Sequence, residues 1–487
     1  MRPTLATKSM IEIFKSFSRS QIWIHTVDPR AANTQAMITV PHLTGTKRRG
    51  SVWAAGALAI AVSPAALAGS FYLPASDSVA ALGRGYAGQA ALGYDATSVM
   101  SNPAALTRLS GSTHWSVGLN ALKTDVRIRD QGTTVLDNAV PGGIPVGGVV
   151  EGDASDLAGL PNLAYARRIG GERNVWVGFG VQAPFGLGIE YSPAFRARYD
   201  TREARLRVID VSGAVGFQLT DSLSIGGGVN VQRTDARLEN AVPNLNGTGV
   251  PGQFASDGVL IVRADSYAVG GNVGLHLKTS DTLQLGLHYK SRMSHDLEGY
   301  AIGQNLTGVP GVLPLDLLNG RSTSATRLNL PDVVTASAAW QATDKPSLMA
   351  ELRWFNWSRF RELAFRFDSP AGVTIPITRP ESYGDEYGLA FGGEYRLNPQ
   401  WTVRAGYLYD RTPTPDATRS TAVPDANRHW FSVGASWMFQ PGWALDMAYS
   451  RVEFETVRIN RNDGLNTVRA TGEPSVDVIG LALRKSF

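Results

Sequence analysis

Hydrophobic and polar residues alternate with a period of two from about Ser112 to the C-terminus. Leu223, Ile225, Gly227, Val229 and Val231 alternate with Ser224, Gly226, Gly228, Asn230 and Gln232. Leu283, Leu285, Leu287 and Tyr289 alternate with Gln284, Gly286, His288 and Lys290. Trp443, Leu445, Met447 and Tyr449 alternate with Ala444, Asp446, Ala448 and Ser450. Alternation puts each set on one face of a strand, so the pattern predicts an all-β chain.

The connections alternate between short and long. Tight turns are expected at Gly170-Gly171-Glu172, Thr220-Asp221, Ser280-Asp281, 343–346, Asn398-Pro399 and 440–442. Long loops are expected near 131–160, 188–203, 241–258, 300–323, 369–381, 413–426 and 459–473. This pattern predicts a transmembrane antiparallel β-barrel of 14 strands over 112–487, with short turns on one side and long loops on the other. The count requires 347–368 to be one strand with a bulge near Trp357-Ser358. Trp401, Trp437, Phe439 and Trp443 flank the tight turns, as an interfacial girdle would. A soluble sandwich or propeller has no use for these aromatics at strand ends.

Composition narrows the picture. The chain has 487 residues, 52 glycines and no cysteine. Disulfides, thiolate metal sites and cysteine nucleophiles are excluded. The net charge of +4 comes from residues 1–68, which hold 8 basic and 2 acidic side chains. The remainder is slightly acidic, so a nucleic-acid partner is not expected. Lys47-Arg48-Arg49, the apolar run Val52–Val62 and Ala66-Leu67-Ala68 form the three parts of a signal peptide. The mature chain is expected to begin at Gly69. Met37 would start a leader of ordinary length, so 1–68 reads as a signal peptide with an over-extended start.

Residues 69–111 do not alternate and are rich in small residues, too apolar for a free tail. They are expected inside the lumen as a plug. Here the sequence resembles the FadL family of outer-membrane transporters for long-chain fatty acids and other hydrophobic compounds. The resemblance rests on Gly83–Gly88, on Asp95-Ala96-Thr97-Ser98 and on Asn102-Pro103-Ala104-Ala105-Leu106. It continues in Ala183–Leu187, Leu328–Asp332, Trp357-Ser358, 410–415 and Val423-Pro424-Asp425, in family order over the mature chain. It implies a hatch at 69–111 with the motif Asn102, Pro103 and Ala104. It also implies a lateral wall opening at a kink in the third strand, placed here at Pro184, Gly186 and Gly188. Pro cannot donate to the ladder and Gly weakens it. The terminal Phe487 resembles the signal read by the barrel assembly machinery.

No catalytic chemistry stands out. Gly83 to Gly88 matches G-x-G-x-x-G, but no strand precedes it and no βαβ unit surrounds it. The five histidines after residue 68 show no metal-ligand spacing. No enzyme activity, cofactor or metal is expected.

Two long loops are unusually apolar. Leu245, Val250 and Phe254 lie in one; Val312, Leu313, Leu315, Leu317 and Leu318 lie in the other. Apolar groups outside a membrane mark association or binding, so these loops either pack on each other or form a capture groove. In the family such loops form the first ligand site. A fatty acid also needs a partner for its carboxylate, and Arg233, Arg237, Arg359 and Arg361 near the outer strand ends are the candidates. The family's lysine after the tryptophan-serine strand falls on Ala364, which leaves room for an uncharged substrate. The expected function is passive uptake of hydrophobic compounds across the outer membrane, long-chain fatty acids first. Aromatic or aliphatic hydrocarbons are the alternative, and a barrel adhesin is a further one. Expected partners are these solutes, outer-membrane lipid and the assembly machinery.

Overall fold

The computed structural model describes residues 72–136, 140–170, 174–244, 252–308 and 314–487. The expected leader, Met37, Gly69 and most of the turn at 170–172 lie outside them.

Fourteen antiparallel strands form one closed barrel. The first six are β1 (Thr113–Asp125), β2 (Leu157–Arg168), β3 (Val175–Glu190), β4 (Glu203–Gln218), β5 (Leu223–Val242) and β6 (Gly258–Lys278). Four interrupted strands follow. They are β7 (Leu283–Lys290, Met293–Gln304), β8 (Gly320–Leu330, Val333–Gln341), β9 (Pro346–Phe355, Glu362–Asp368) and β10 (Thr374–Pro380, Glu386–Arg396). The last are β11 (Trp401–Asp410), β12 (Arg428–Gln440), β13 (Trp443–Phe454) and β14 (Ser475–Ser486). β14 pairs back onto β1 from His114–Ser486 to Asp125–Ser475, which closes the ring.

The period-two pattern has a direct cause. One face of each strand meets lipid and the other meets the filled lumen. Ile479 and Leu481 of β14 are 57% and 53% exposed, while Val478, next to Ile479 and on the opposite face, is fully buried. At the turn end Trp401 stacks on Trp437 with ring centroids 5.8 Å apart, and Trp115 meets Trp443 edge-on at 5.2 Å. These rings sit where an aromatic belt belongs.

The segment 347–368 is one barrel strand, but its break is larger than a bulge. Residues Asn356 to Arg361 leave the ladder, with a short 3-10 turn at Trp357–Arg359. The breaks in β7, β8 and β9 gather around Asp332. Its carboxylate accepts from the Tyr289 hydroxyl (2.7 Å), the Arg292 amide (3.1 Å) and the Asn356 amide group (3.3 Å). Pro331 beside it has no N–H to offer the ladder.

Two loop expectations are corrected. Thr374–Pro380 is strand, paired residue for residue with Glu362–Asp368, so the loop expected at 369–381 shrinks to 369–373. The connection expected at 459–473 holds a hairpin, Val457–Asn462 with Asn466–Gly472. That hairpin joins Arg127–Asp130 and Thr134–Val135 of the β1–β2 connection in a separate six-stranded sheet.

Residues 72–111 contact inward-facing wall residues around the ring. They make short turns at Pro74–Ser76, Val79–Leu82, Ser98–Ser101 and Pro103–Arg108, nearly all buried. Wall glycines make room for this backbone. A side chain at Gly226 would strike Ala104, at Gly274 Asn102, at Gly286 Ala90, and at Gly406 Arg84. These positions span β5, β6, β7 and β11, so much of the high glycine content is a belt of close backbone approach.

Candidate functional site

The apolar stretches begin in the loops and continue down the wall. Leu315 and Leu318 are buried in a cluster with Val242, Val262, Ala301, Leu306, Phe367 and Ile375. Leu317 packs against that cluster, whereas Phe254 is 55% exposed. Leu245, Val250, Val312 and Leu313 lie outside the described residues. Five of the eight, Val242, Val262, Ala301, Phe367 and Ile375, thus come from strands β5, β6, β7, β9 and β10. Val242, Ala301 and Ile375 fall in stretches expected as loops; Val262 and Phe367 lie outside them, although strands of 20 and 21 residues for β5 and β6 exceed what a bilayer requires.

Leu238 and Phe365 pack against this cluster and also line a cavity of about 70 Å³ below it. Leu187, Leu206, Leu297 and Leu328 complete an almost wholly apolar lining. One step further inward the wall becomes polar. Asp210 accepts from Lys290 Nζ (2.7 Å), Gln232 (2.8 Å), Ser212 (2.9 Å) and Asn230 (3.0 Å).

A second cavity, about 60 Å³, lies against the N-terminal segment. Tyr72, Asp77, Gln89, Phe185, His288, Lys290 and Arg353 are among its lining. Arg353 of β9 donates to Glu351 (2.6 Å), to Gln89 (2.6 Å) and to the Tyr72 hydroxyl (3.3 Å), joining wall and N-terminal segment. Burial pushes the Asp77 carboxyl above its ordinary value, against the opposing charge of Arg353.

The wall itself is interrupted beside this cavity. Pairing of β2 with β3 ends at Leu163–Val181. On its other side β3 slips register against β4 between Gln182 and Phe185, where Ala183 and Pro184 face the single residue Ile209. Gln182 to Ile189 are buried without alternation, so this half of β3 is covered on both faces. Tyr72 and Leu73 take the place of β2 there. Tyr72 bridges Phe185, and the Leu73 amide donates to the Pro184 carbonyl at 2.8 Å. Gly186 leaves space for the Leu73 side chain, and Gly188 lines a cleft of about 470 Å³ between Ala154–Asp156 and 188–193.

In the N-terminal segment Asn102 reaches the wall. Its Nδ2 donates to the Ala90 carbonyl (2.7 Å) and to the Leu275 carbonyl of β6 (3.0 Å), and its Oδ1 caps the Ala104 amide (3.1 Å). Pro103 and Ala104 face Gly216 and Gly226 across bare backbone.

The four candidate arginines do not line either cavity, which corrects their assignment. Arg233 and Arg237 fall in the phase of Val229 and Val231, opposite to the inward Gln232, Thr234 and Ala236. Arg233 pairs with Asp235 (3.1 Å) and lies over Tyr267; Arg237 is held by Glu203 (2.6 Å) and Glu239 (2.8 Å). Arg359 is exposed and lies 3.3 Å from Asp332, and Arg361 is exposed. Proximity to an outer strand end was the wrong criterion, because phase decides which face a residue takes. Ala364 is also outward, between the cavity-lining Leu363 and Phe365. A lysine in that register would point away from the cavity. Arg207, which the sequence reading passed over, stands directly opposite Gly186 at the interruption, and its Nε is buried without a hydrogen-bond partner. Among the described residues no three His, Asp or Glu side chains converge as metal ligands.

The family model described as "Outer membrane protein transport protein (OMPP1/FadL/TodX)" matches residues 59–487. The long-chain fatty acid transport protein of Escherichia coli O6:H1 is 26% identical over 453 residues, 88% of this chain and 98% of that protein. Outer membrane protein P1 of Haemophilus influenzae is 26% identical over 446 residues, 84% of this chain and 94% of that protein. The crystal structure of a Pseudomonas aeruginosa FadL homologue superimposes with a TM-score of 0.77 at 27% identity, covering 86% of this chain and all of that one. The Ralstonia pickettii toluene transporter TbuX shares the fold, with a TM-score of 0.63 at 20% identity over 85% of this chain and 99% of that one.

Proposed function

The chain belongs to the OMPP1/FadL/TodX family of outer membrane transport proteins, and we propose that it takes up long-chain fatty acids by passive diffusion, without a catalytic step. It is an outer-membrane transporter of hydrophobic compounds. The observation that carries the reading is the continuity of apolar lining from Leu315 and Leu318, through Leu238 and Phe365, to Leu187 and Phe185 beside the wall interruption. Burial at about 0.8 kcal/mol per CH₂ gives an acyl chain a reason to leave water at the outer cluster. Sharing that burial among successive sites keeps any one of them from trapping it. Residues 69–111 act as a hatch. Displacement of Tyr72 and Leu73 from β3 opens the wall beside Pro184, Gly186 and Gly188, and the solute leaves sideways into lipid. Phe487 serves as the assembly signal.

Deletion of Pro184 tests the exit. It makes the residue count between Gln182 and Phe185 equal to that of β4, removing the bulge. Uptake of labelled oleate by cells lacking their own transporter should fall to the background of cells without the protein, while barrel assembly is retained. Undiminished uptake would rule the exit out.

A second reading, uptake of uncharged hydrocarbons, is favoured by the pairing of lumen cations. Lys290 is held by Asp210 and Arg353 by Glu351. Labelled toluene entering where oleate does not would select it.

A further inference from the structure

A buried histidine adjoins the lining of the apolar cavity. His295 on β7 lies directly opposite Leu328 of β8 and two residues before Leu297, and both leucines line the cavity. Thr234, two residues before the cavity-lining Ala236, touches it from β5. Through its fully buried side chain, His295 contacts the Thr234 hydroxyl and Gln232 Oε1 with Nε2, each at 3.2 Å.

The network fixes where its proton sits. Asp210 only accepts, so the Gln232 amide nitrogen must face it at 2.8 Å. Gln232 Oε1 is therefore the group turned to His295, and it needs a donor. Nε2 carries the hydrogen, and Nδ1 is left as a bare acceptor. That Nδ1 is buried and has no hydrogen-bond partner. A buried acceptor without a donor is costly, and a ligand group that supplies one is favoured.

Resting on the transport reading above, we infer that this cavity is a selectivity site for amphiphiles with an uncharged donor head: a protonated carboxylic acid or an alcohol. The chain lies among Leu206, Leu238, Leu297 and Leu328, and the head hydroxyl donates to His295 Nδ1. Among the described residues an ionised head finds no unpaired cation at this level: Arg205, which also lines the cavity, is held by Glu190 (2.5 Å) and Glu203 (2.7 Å), and Lys290 nearer the N-terminal segment lies 2.7 Å from the Asp210 carboxylate. A fatty acid thus passes the cavity in its protonated form.

The test compares solutes of one chain length in cells lacking their own transporter, counting only uptake that depends on the protein. The wild type should take up 1-hexadecanol roughly tenfold faster than hexadecyl methyl ether, which accepts but cannot donate, and should exclude hexadecane-1-sulfonate. His295→Gln keeps a polar atom at the Nε2 position and lacks one at Nδ1. It should abolish the preference of alcohol over ether while leaving hexadecane uptake unchanged. His295→Asn keeps an atom at Nδ1 and should retain the preference. Equal uptake of alcohol and ether by the wild type overturns the inference, whether or not the variants assemble. A preference that survives His295→Gln in an assembled barrel does the same. Entry of none of these solutes, the alkane included, would instead overturn the transport reading and this inference with it.

Discussion

Arg353 of β9 and Tyr72 of the N-terminal segment meet at 3.3 Å, guanidinium to hydroxyl. Tyr72 also bridges Phe185 of β3, where the wall is interrupted. One side chain of the barrel thus reaches the residue that covers the proposed exit. Arg353 is buried and holds Glu351 at 2.6 Å. Its replacement by Met leaves a buried carboxylate uncompensated, at a cost of about 3–5 kcal/mol. Conductance in planar bilayers should rise as the segment loosens. Adding Glu351→Gln to Arg353→Met should recover part of the loss.

Asn102→Ala strands two carbonyls and the Ala104 amide together. Each unsatisfied buried group costs about 1–3 kcal/mol. The segment should become accessible to protease added from the periplasmic side, with the wall itself still folded. Gly274→Val should act the same way by collision with Asn102.

Asp77 links seating of the segment to pH. Its carboxyl is raised by burial, so the seated state binds the proton more tightly than the released one. The stabilisation is therefore full below the ordinary aspartate value of about 3.9 and is lost as pH rises through the raised value. Thiol labelling of a cysteine introduced at Ser101, divided by the rate of a free thiol at the same pH to remove the thiolate's own pH dependence, should speed up with rising pH. Asp77→Asn should flatten that profile at the slow, acid-side rate.

Arg198 ties three outer loops together. It donates to Asp257 (2.6 Å), to the Gly147 and Gly252 carbonyls (both 2.8 Å), to the Tyr199 hydroxyl (3.1 Å) and to the Phe195 carbonyl (3.3 Å). Lysine has a point charge in place of this planar fork. Arg198→Lys should increase cleavage of the loops by trypsin on intact cells several-fold, while melting of the barrel changes little.

The two faces of the wall were legible because lipid imposes the same preference at every second residue. Strands such as β5, β7 and β13 therefore declare themselves locally. The orientation of Arg233 was legible by the same rule, since it continues the series Val229 and Val231. Its ion pair with Asp235 and the outward turn of Arg237 follow from that phase. The break at Asp332 was less readable, because its partners come from two other strands, Tyr289 and Arg292 from β7 and Asn356 from β9.

By itself, the sequence determined a barrel, its even strand number, its girdle and the family to which it belongs. The barrel and its girdle follow from short-range periodicity, which the barrel architecture converts into a wall, the even strand number follows from the alternation of short turns and long loops, and the family follows from motifs such as Gly83–Gly88 and Asn102–Leu106. Only the tertiary structure decided which wall glycines accept the N-terminal backbone, which arginines are already neutralised, and that His295 beside an apolar cavity has a buried Nδ1 without a hydrogen-bond partner. Those properties depend on residues far apart in the chain meeting in one lumen, and no local pattern encodes the distance between them.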